Sequence, residues 1–201
     1  MNYLAVDTSG KHLTVIVKIG DKFTSKYIEN TQMQHSVTLM PLIDKILLDM
    51  QESLSNIDVF CAVVGAGSFT GIRIGISAVK AFSYALGKKV LSVTSFETLA
   101  YNSQGKVVSV IDAKHDNFYA QCFYNGTPTT KAEFISLEKL VELSKTYKVI
   151  SSEKLENIES KIVSLEEGLK LAVERNLDKA TTDRDSLVPL YCKRSQAEEG
   201  I

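Results

Sequence analysis

The chain carries one arrangement of residues twice, and this repeat limits the fold more than any other feature of the sequence. NYLAVDTSGKHLTVIV, near the start, is an apolar run that ends in Asp7, followed by a polar turn and a second apolar run. KVVSVIDAKHDNFYAQCFY repeats this order around Asp112. Runs of β-forming residues joined by turn residues are typical of hairpins, so each half is predicted to begin with a β-hairpin.

The rest of the first half predicts a mixed sheet with helices on its faces. FTSKYIE adds a third strand to the first hairpin, and apolar runs at 59–64 and 89–95 predict buried strands. Apolar residues at helical spacing predict helices over 35–50 and 70–86, and a short helix is expected after Ser95.

The second half repeats this order in a shorter form. It predicts a third strand near 132–135, a helix over 136–144, a strand at 147–151 and a helix over 165–176. A duplicated β-β-β-α-β-α order is the arrangement of actin-like ATPases, and the fold is inferred by that analogy. We therefore predict an α/β protein with the actin-like ATPase (ASKHA) fold. Its two duplicated subdomains are expected at residues 1–102 and, in reduced form, at 103–201.

GAGSFTGIRIG, at 65–75, has the glycine content of a phosphate-binding loop or a nucleophile turn. Its G-x-G-x-x-x-G spacing departs from the dinucleotide fingerprint, and no acid ends the next strand. A nucleophile turn needs glycine two residues on either side of the serine, whereas Gly67 directly precedes Ser68. We interpret Gly65 and Gly67 as residues that allow tight turning and close backbone approach, with Ser68 or Thr70 as the helix cap. An anion held at this helix start stays an alternative.

The helix over 70–86 has a wider apolar face than packing on one sheet requires. At about 100° per residue its polar side chains fill an arc of roughly 80°, which leaves over ~200° apolar or small. We expect the small half to lie on the sheet, so that the bulky half needs a second surface. The small half is Gly71, Ile74, Ala78, Ala81 and Ala85, and the bulky half is Ile72, Ile76, Val79 and Leu86. The helix over 35–50 has a similar excess, so either the two helices bury each other or a partner covers them.

The balance of charge argues against direct nucleic-acid binding. The 23 basic and 24 acidic residues are spread along the chain and give a net charge of -1. No apolar run approaches the ~20 residues of a membrane span, and the start has no signal-peptide pattern, so we expect a cytoplasmic protein without membrane contact. Cys61, Cys122 and Cys192 are widely spaced, and we interpret them as reduced thiols rather than disulfides or zinc ligands.

Six stretches, ordered along the whole chain, resemble the TsaB family, also called YeaZ. They are LAVDTS, QHSVTLMPLIDKIL, GAGSFTGIRIGISAVKAFSYALG, VTSFETLA, IDAKHDNFYAQCF and VPLYCKRSQAEE. GSFTGIRIG is the most specific of these motifs. Two residues differ from the usual pattern of the family, Ala66 in place of proline and Lys114 in place of arginine.

The resemblance implies a non-catalytic partner and activator of a TsaD-like transferase in the synthesis of threonylcarbamoyladenosine on tRNA. It further implies docking on TsaD, and homodimer formation by the chain alone, through much the same helices of the first subdomain. A TsaE-like ATPase and tRNA are expected to join only through the complex, and no cofactor or metal is expected. The predicted interface residues are His35, Leu39, Leu42, Ile43, Ile46, Ile72, Arg73, Ile76, Val79, Lys80 and Ser83.

A weak actin-like ATPase or kinase is the alternative function. Asp7 and Asp112 stand where such an enzyme holds phosphate and metal, but the turn after Asp112 has no glycine. Gly168 is isolated where an adenosine clamp needs clustered glycines, so we interpret both aspartates as turn caps. ATP turnover by the isolated chain separates the two functions. A metallopeptidase is not expected, because His35 is followed four residues later by Leu39 and not by a second histidine.

Overall fold

The computed structural model describes residues 1–31 and 33–192. Five strands between residues 3 and 93 form its first β-sheet. The elements of the first half are β1 (Tyr3–Asp7), β2 (Leu13–Ile19), β3 (Lys22–Ile28), α1 (His35–Met50), β4 (Val59–Val63), α2 (Phe69–Leu86), β5 (Lys89–Val93) and α3 (Ser95–Ala100). The strand order is β3-β2-β1-β4-β5. Antiparallel pairing joins β1, β2 and β3, whereas β4 pairs in parallel with both β1 and β5.

A second sheet is built from the other half of the chain. Its elements are β6 (Lys106–Asp112), β7 (Asn117–Tyr124), β8 (Thr127–Pro128), β9 (Glu133–Ser136), α4 (Leu137–Ser144), β10 (Lys148–Ser151), β11 (Lys161–Ile162) and α5 (Leu165–Asn176). The strand order is β11-β10-β6-β7-β8, and β9 also pairs with β7. Because β6 and β7 form a hairpin and β10 adds to β6 in parallel, the sheet repeats the plan of β1, β2 and β4. The predicted duplication is confirmed.

Local signals fix the ends of the helices. Ser68 caps α2, since its side chain accepts a 3.2 Å hydrogen bond from the amide of Gly71. Gly87 ends α2 in the left-handed conformation, with φ of 66°, which glycine adopts without a steric penalty. Thr94 and Glu97 form a capping box at the start of α3. These residues set where each helix begins or ends before any long-range contact forms.

Two helices cover one face of the first sheet. Leu39, Ile43 and Ile46 of α1 and Ile72 and Val79 of α2 are buried over this face. α1 contacts β2, while α2 contacts β1, β4 and β5. The helices thus share one hydrophobic core with the sheet.

Two of the remaining helices, α3 and α5, each pack against the sheet of the other half of the chain. α5, from the second half, covers the opposite face of the first sheet with Leu169, Ala172 and Val173. α3, from the first half, buries Phe96 and Leu99 against the second sheet. The boundary predicted at residue 102 separates the strands of the two sheets but not their cores, and the boundary itself stays a prediction.

Cys61 and Cys122 are buried in β4 and β7, and all three cysteines are free thiols, as the sequence predicts. No helix within the described residues is long and apolar enough to span a bilayer.

Candidate functional site

The glycine stretch at 65–75 packs against the turn between β1 and β2. The amide of Ser68 donates a 2.6 Å hydrogen bond to the carbonyl of Ser9. A methyl group at Gly67 would overlap that carbonyl oxygen, and one at Gly71 would overlap the carbonyl oxygen of Thr8. The Thr8 hydroxyl also donates to the Gly71 carbonyl at 2.7 Å. The glycines therefore serve close backbone approach, as predicted, and Ser68 rather than Thr70 is the helix cap.

Asp7 holds the first turn together. Its Oδ1 accepts hydrogen bonds from the amide of Ser9 at 2.8 Å and from the Ser9 hydroxyl at 2.6 Å. The Ser9 hydroxyl lies 3.0 Å from that of Ser95, which donates to the carbonyl of Ala66 at 2.7 Å. Burial raises the pKa of the Asp7 carboxyl above its usual value. Asp7 thus caps its turn, as predicted, and links it to the glycine stretch and to α3.

Asp112 has the equivalent role in the second hairpin. Its Oδ1 accepts a 2.8 Å hydrogen bond from the amide of Lys114, and its Oδ2 accepts one of 2.6 Å from the Lys114 ammonium. Partial burial raises the pKa of Asp112, but the hydrogen bonds and charge of Lys114 outweigh it, so the pKa lies below its usual value. Lys114, His115 and Asp116 all have positive φ, so this turn forms without glycine.

An open cleft lies between the two hairpin turns. Lys11, Lys114 and Lys154 are its lysines. Lys11 forms an ion pair with Glu153, and Lys114 forms one with Asp112. Two of the three lysines that line the cleft are therefore already matched with carboxylates of the same chain.

Most of the predicted interface residues lie inside the protomer. Ile72, Ile76 and Val79 are buried against the first sheet and α1, as are the apolar residues predicted on α1. His35 and Ser83 are buried as well, whereas Arg73 is exposed and Lys80 is half-buried. Burial lowers the pKa of His35. The protomer thus matches the alternative that the two helices bury each other.

The prediction that the small half of α2 faces the sheet is wrong. Ala81 and Ala85 are exposed, and Ala78 and Ile74 are half-buried. Of the bulky half, Ile72, Ile76 and Val79 are buried and Leu86 is half-buried. The physical reason is area, because isoleucine and valine side chains gain more free energy on burial than alanine does. Of the small half only Gly71 is buried, and it approaches Thr8 together with Gly75, which lies one turn further along the helix.

Exposed apolar residues remain on both helices. We define the outer face by these residues together with the outward alanines of α2. It consists of Val37, Met40 and Leu48 of α1 and Ala81, Tyr84 and Ala85 of α2. Leu48 is 77% exposed and Val37 is 69% exposed.

A segment that the sequence reasoning missed runs along α2. Residues 181–192, which we call the strap, begin at Thr181, which pairs with Val90 of β5. Leu187 is buried in the core under α2, and the Leu190 amide donates a 2.7 Å hydrogen bond to the Val64 carbonyl. Tyr191 stacks on Phe69 with ring centroids 4.8 Å apart. The sequence signal that could have predicted this segment is the pair of apolar residues Leu187 and Leu190, three positions apart.

The strap engages the polar residues predicted for docking. The Arg73 guanidinium donates a 2.9 Å hydrogen bond to the Tyr191 hydroxyl. Lys80 lies 4.0 Å from Asp185, and the Arg184 guanidinium donates to both the hydroxyl and the carbonyl of Ser83. These contacts engage Arg73, Lys80 and Ser83 of α2 within the protomer. In the part of the chain that the structure describes, no cluster of three metal-ligating side chains occurs.

Two hairpins with capped aspartate turns, each at the centre of a mixed sheet, define a protein with the actin-like ATPase (ASKHA) fold. A solved structure from Pseudomonas aeruginosa, described as an uncharacterized protein with similarity to peptidase YeaZ, has this fold with a TM-score of 0.79. It is 22% identical, and the superposition covers 96% of this chain and 99% of that one.

The family model described as TsaD: tRNA N6-adenosine threonylcarbamoyltransferase matches residues 23–177. A Bacillus subtilis protein, the tRNA threonylcarbamoyladenosine biosynthesis protein TsaB, is 31% identical over 59% of this chain. The protein of the same name from Buchnera aphidicola is 25% identical over 86% of this chain and 81% of its own length. The chain belongs to this TsaD-related family and, within it, to the TsaB (YeaZ) proteins. Its match spans 53% of the length of the Bacillus relative.

Proposed function

We propose that the chain acts in the synthesis of threonylcarbamoyladenosine on tRNA as a non-catalytic partner and activator of a TsaD-like transferase. The names of the TsaB relatives support the pathway. The outer face is the observation that carries the role as a partner, because it leaves apolar side chains of two adjacent helices uncovered. A surface of this kind is typical of a protein–protein contact.

The two hairpins support a role without catalysis. Asp7 accepts two hydrogen bonds from Ser9, and Asp112 accepts two from Lys114, so both carboxylates already serve turns. Lys11, beside the first turn, pairs with Glu153 across the cleft. A nucleotide and its metal would need to displace these contacts.

We infer that the outer face serves both self-association and docking on the TsaD-like partner, so the two associations exclude each other. The predicted docking helices are retained in this proposal, but the contact residues are now those of the outer face and not the buried stripe of Ile72, Ile76 and Val79. A TsaE-like ATPase and tRNA join through the complex in the cytoplasm. The net charge of -1 supports indirect tRNA binding.

Two single substitutions test this function. Ala81→Arg and Leu48→Arg each place a charge on the outer face without disturbing the core, since both residues are exposed. A desolvated unpaired charge at the centre of a contact typically costs several kcal/mol of association. We expect both variants to sediment as monomers, to lose the partner in pull-down experiments, and to fail in the reconstituted tRNA modification.

Val141→Arg is the matched control, because it makes the same kind of change on an exposed residue of α4 in the second half. It should keep the association and the activity of the unmodified chain. Full activity of Ala81→Arg and Leu48→Arg would show that docking uses another surface.

A further inference from the structure

The strap lies on the side of α2 that faces away from α1. α1 packs on β2, α2 packs on β1, β4 and β5, and the strap pairs with the edge strand β5 through Thr181 and Val90. Because β2 and this edge lie on opposite sides of the strands under α2, the strap and α1 flank α2 from two sides. The exposed ridge of α2, which includes Ser77 and Ala81, lies between them.

The strap binds the polar side chains that border this ridge. Arg73 donates to Tyr191 and stacks on Phe69, with its guanidinium carbon 3.8 Å from the ring centroid. Lys80, about two turns further along the helix, lies 4.0 Å from Asp185. At the end of α2, Tyr84 lies under the Arg184 guanidinium at 4.5 Å. The strap therefore contacts the polar side of α2 from its first turn to its last.

Part of the strap is anchored and the rest is exposed. Leu187 is 1% exposed, and Leu190 and Cys192 are half-buried against the hydrophobic cores, but Val188 is 62% exposed and the Asp185 side chain is 94% exposed. Exposed ion pairs and stacked rings at a surface add little stability each, because water and salt compete for the same groups. Segments with few buried apolar contacts open locally without unfolding of the whole domain.

We propose that the strap is an intramolecular competitor of docking, which a protein partner must displace from Arg73 and Lys80 to reach the whole of α2. The proposal rests on the proposed docking function of the outer face. A partner with carboxylates around its apolar contact would take the place of the Tyr191 hydroxyl on Arg73 and of Asp185 on Lys80. If the strap is open in only about one molecule in ten, the apparent affinity for the partner is about tenfold weaker than that of the open form.

Amide hydrogen exchange on the isolated chain tests whether the strap opens. The amides of Thr181 and Leu190 are bonded to the carbonyls of Val90 and Val64. The amide of Ile72, in the first turn of α2, is bonded to the carbonyl of the cap residue Ser68. We expect Thr181 and Leu190 to exchange at least tenfold faster than Ile72, and trypsin to cleave after Arg184 before it cleaves within α2. Equal exchange of all three amides would overturn the proposal, since the strap would then open only with the fold.

Two variants test whether opening strengthens docking. Leu187→Ala removes the buried anchor, and Val188→Ala is its control at the neighbouring exposed position. Because Leu187→Ala also touches the core, the double variant Asp185→Ala/Tyr191→Ala releases the strap through exposed side chains alone. We expect Leu187→Ala and the double variant to self-associate, and to bind the TsaD-like protein, about five- to tenfold more tightly than the unmodified chain. Val188→Ala should leave both affinities unchanged.

The outcomes separate this proposal from the docking function. Association that is unchanged in both strap variants, but lost in Ala81→Arg, would overturn the strap as a competitor and leave the outer face as the docking surface. Absence of association in every variant, including those with a released strap, would overturn the docking function and the competition together.

Discussion

Ile76→Arg distinguishes a core residue from a docking residue on α2. The Ile76 side chain is 6% exposed and belongs to the core formed by α1, α2 and the first sheet. Ser77, the next residue, is exposed. Arginine at position 76 must either place its guanidinium in an apolar environment or push the helix outward to reach water, whereas arginine at position 77 meets water directly.

The size of the expected loss of stability follows from the burial of Ile76. Loss of a buried isoleucine side chain typically costs about 2–5 kcal/mol, and the arginine stem recovers part of this while its charge adds a penalty. We expect Ile76→Arg to lower the free energy of unfolding by about 3–5 kcal/mol, a large part of the ~5–15 kcal/mol typical of a native domain. At about 2–4 °C per kcal/mol for a chain of this length, the melting temperature should fall by roughly 6–20 °C.

Urea and thermal unfolding followed by circular dichroism measure this change. Ser77→Arg is the matched control, and it should change the melting temperature by only a few degrees. The reasoning is refuted if Ile76→Arg keeps the stability of the unmodified chain and loses only association, because the isoleucine would then face outward as the apolar pattern first indicated.

Two further substitutions test other parts of the structure. Gly71→Ala should lower the melting temperature, because its methyl group would overlap the Thr8 carbonyl oxygen. Gly10→Ala is the control, since a methyl group there meets open space and should leave the melting temperature unchanged. Equal effects of the two substitutions would contradict the close approach of Gly71 to Thr8. Burial lowers the pKa of His35 below its ordinary value near 6.5, so the unfolded chain binds the proton more tightly and stability falls as the pH drops below about 6.5. His35→Gln should therefore reduce the loss of stability between pH 7.5 and pH 5, measured by urea unfolding. The pKa of His12 is lowered as well, so part of the loss remains in both proteins. An unchanged loss would contradict a lowered pKa at His35.

The sequence predicted the local parts of this fold because their signals lie within a few residues. α1 begins at His35 and ends at Met50, as its apolar spacing predicted. Asp7 and Asp112 each cap a turn through the amide two residues later, and Ser68 caps α2 through the amide three residues later. Each of these interactions requires only neighbours in sequence, so periodicity and residue chemistry are sufficient to predict them.

The orientation of α2 was not predictable in the same way. Its pattern defines an apolar arc but does not identify the surfaces that cover it, and Ile72 and Ala81 both belong to that arc. The strap was missed because Leu187 reaches the core from about 100 residues further along the chain than α2. The exchange of α3 and α5 between the halves likewise depends on contacts between distant segments. The apolar pattern therefore could not show that most of the predicted docking residues are buried within the protomer, and their role in docking stays a prediction.

The position of α5 affects how the protein is made. The first sheet is complete once residue 93 has been synthesised, but Leu169, Ala172 and Val173, which cover one of its faces, follow roughly 80 residues later. At a translation rate of ~5–20 residues per second, α5 is synthesised on the order of 4–16 s after the first sheet, and that face is uncovered in the meantime. During this interval Tyr3, Ala5 and Ile16 are open to water or to a chaperone on the nascent chain. Synthesis of α5, rather than completion of the first half, is thus the point at which this sheet can acquire both of its layers.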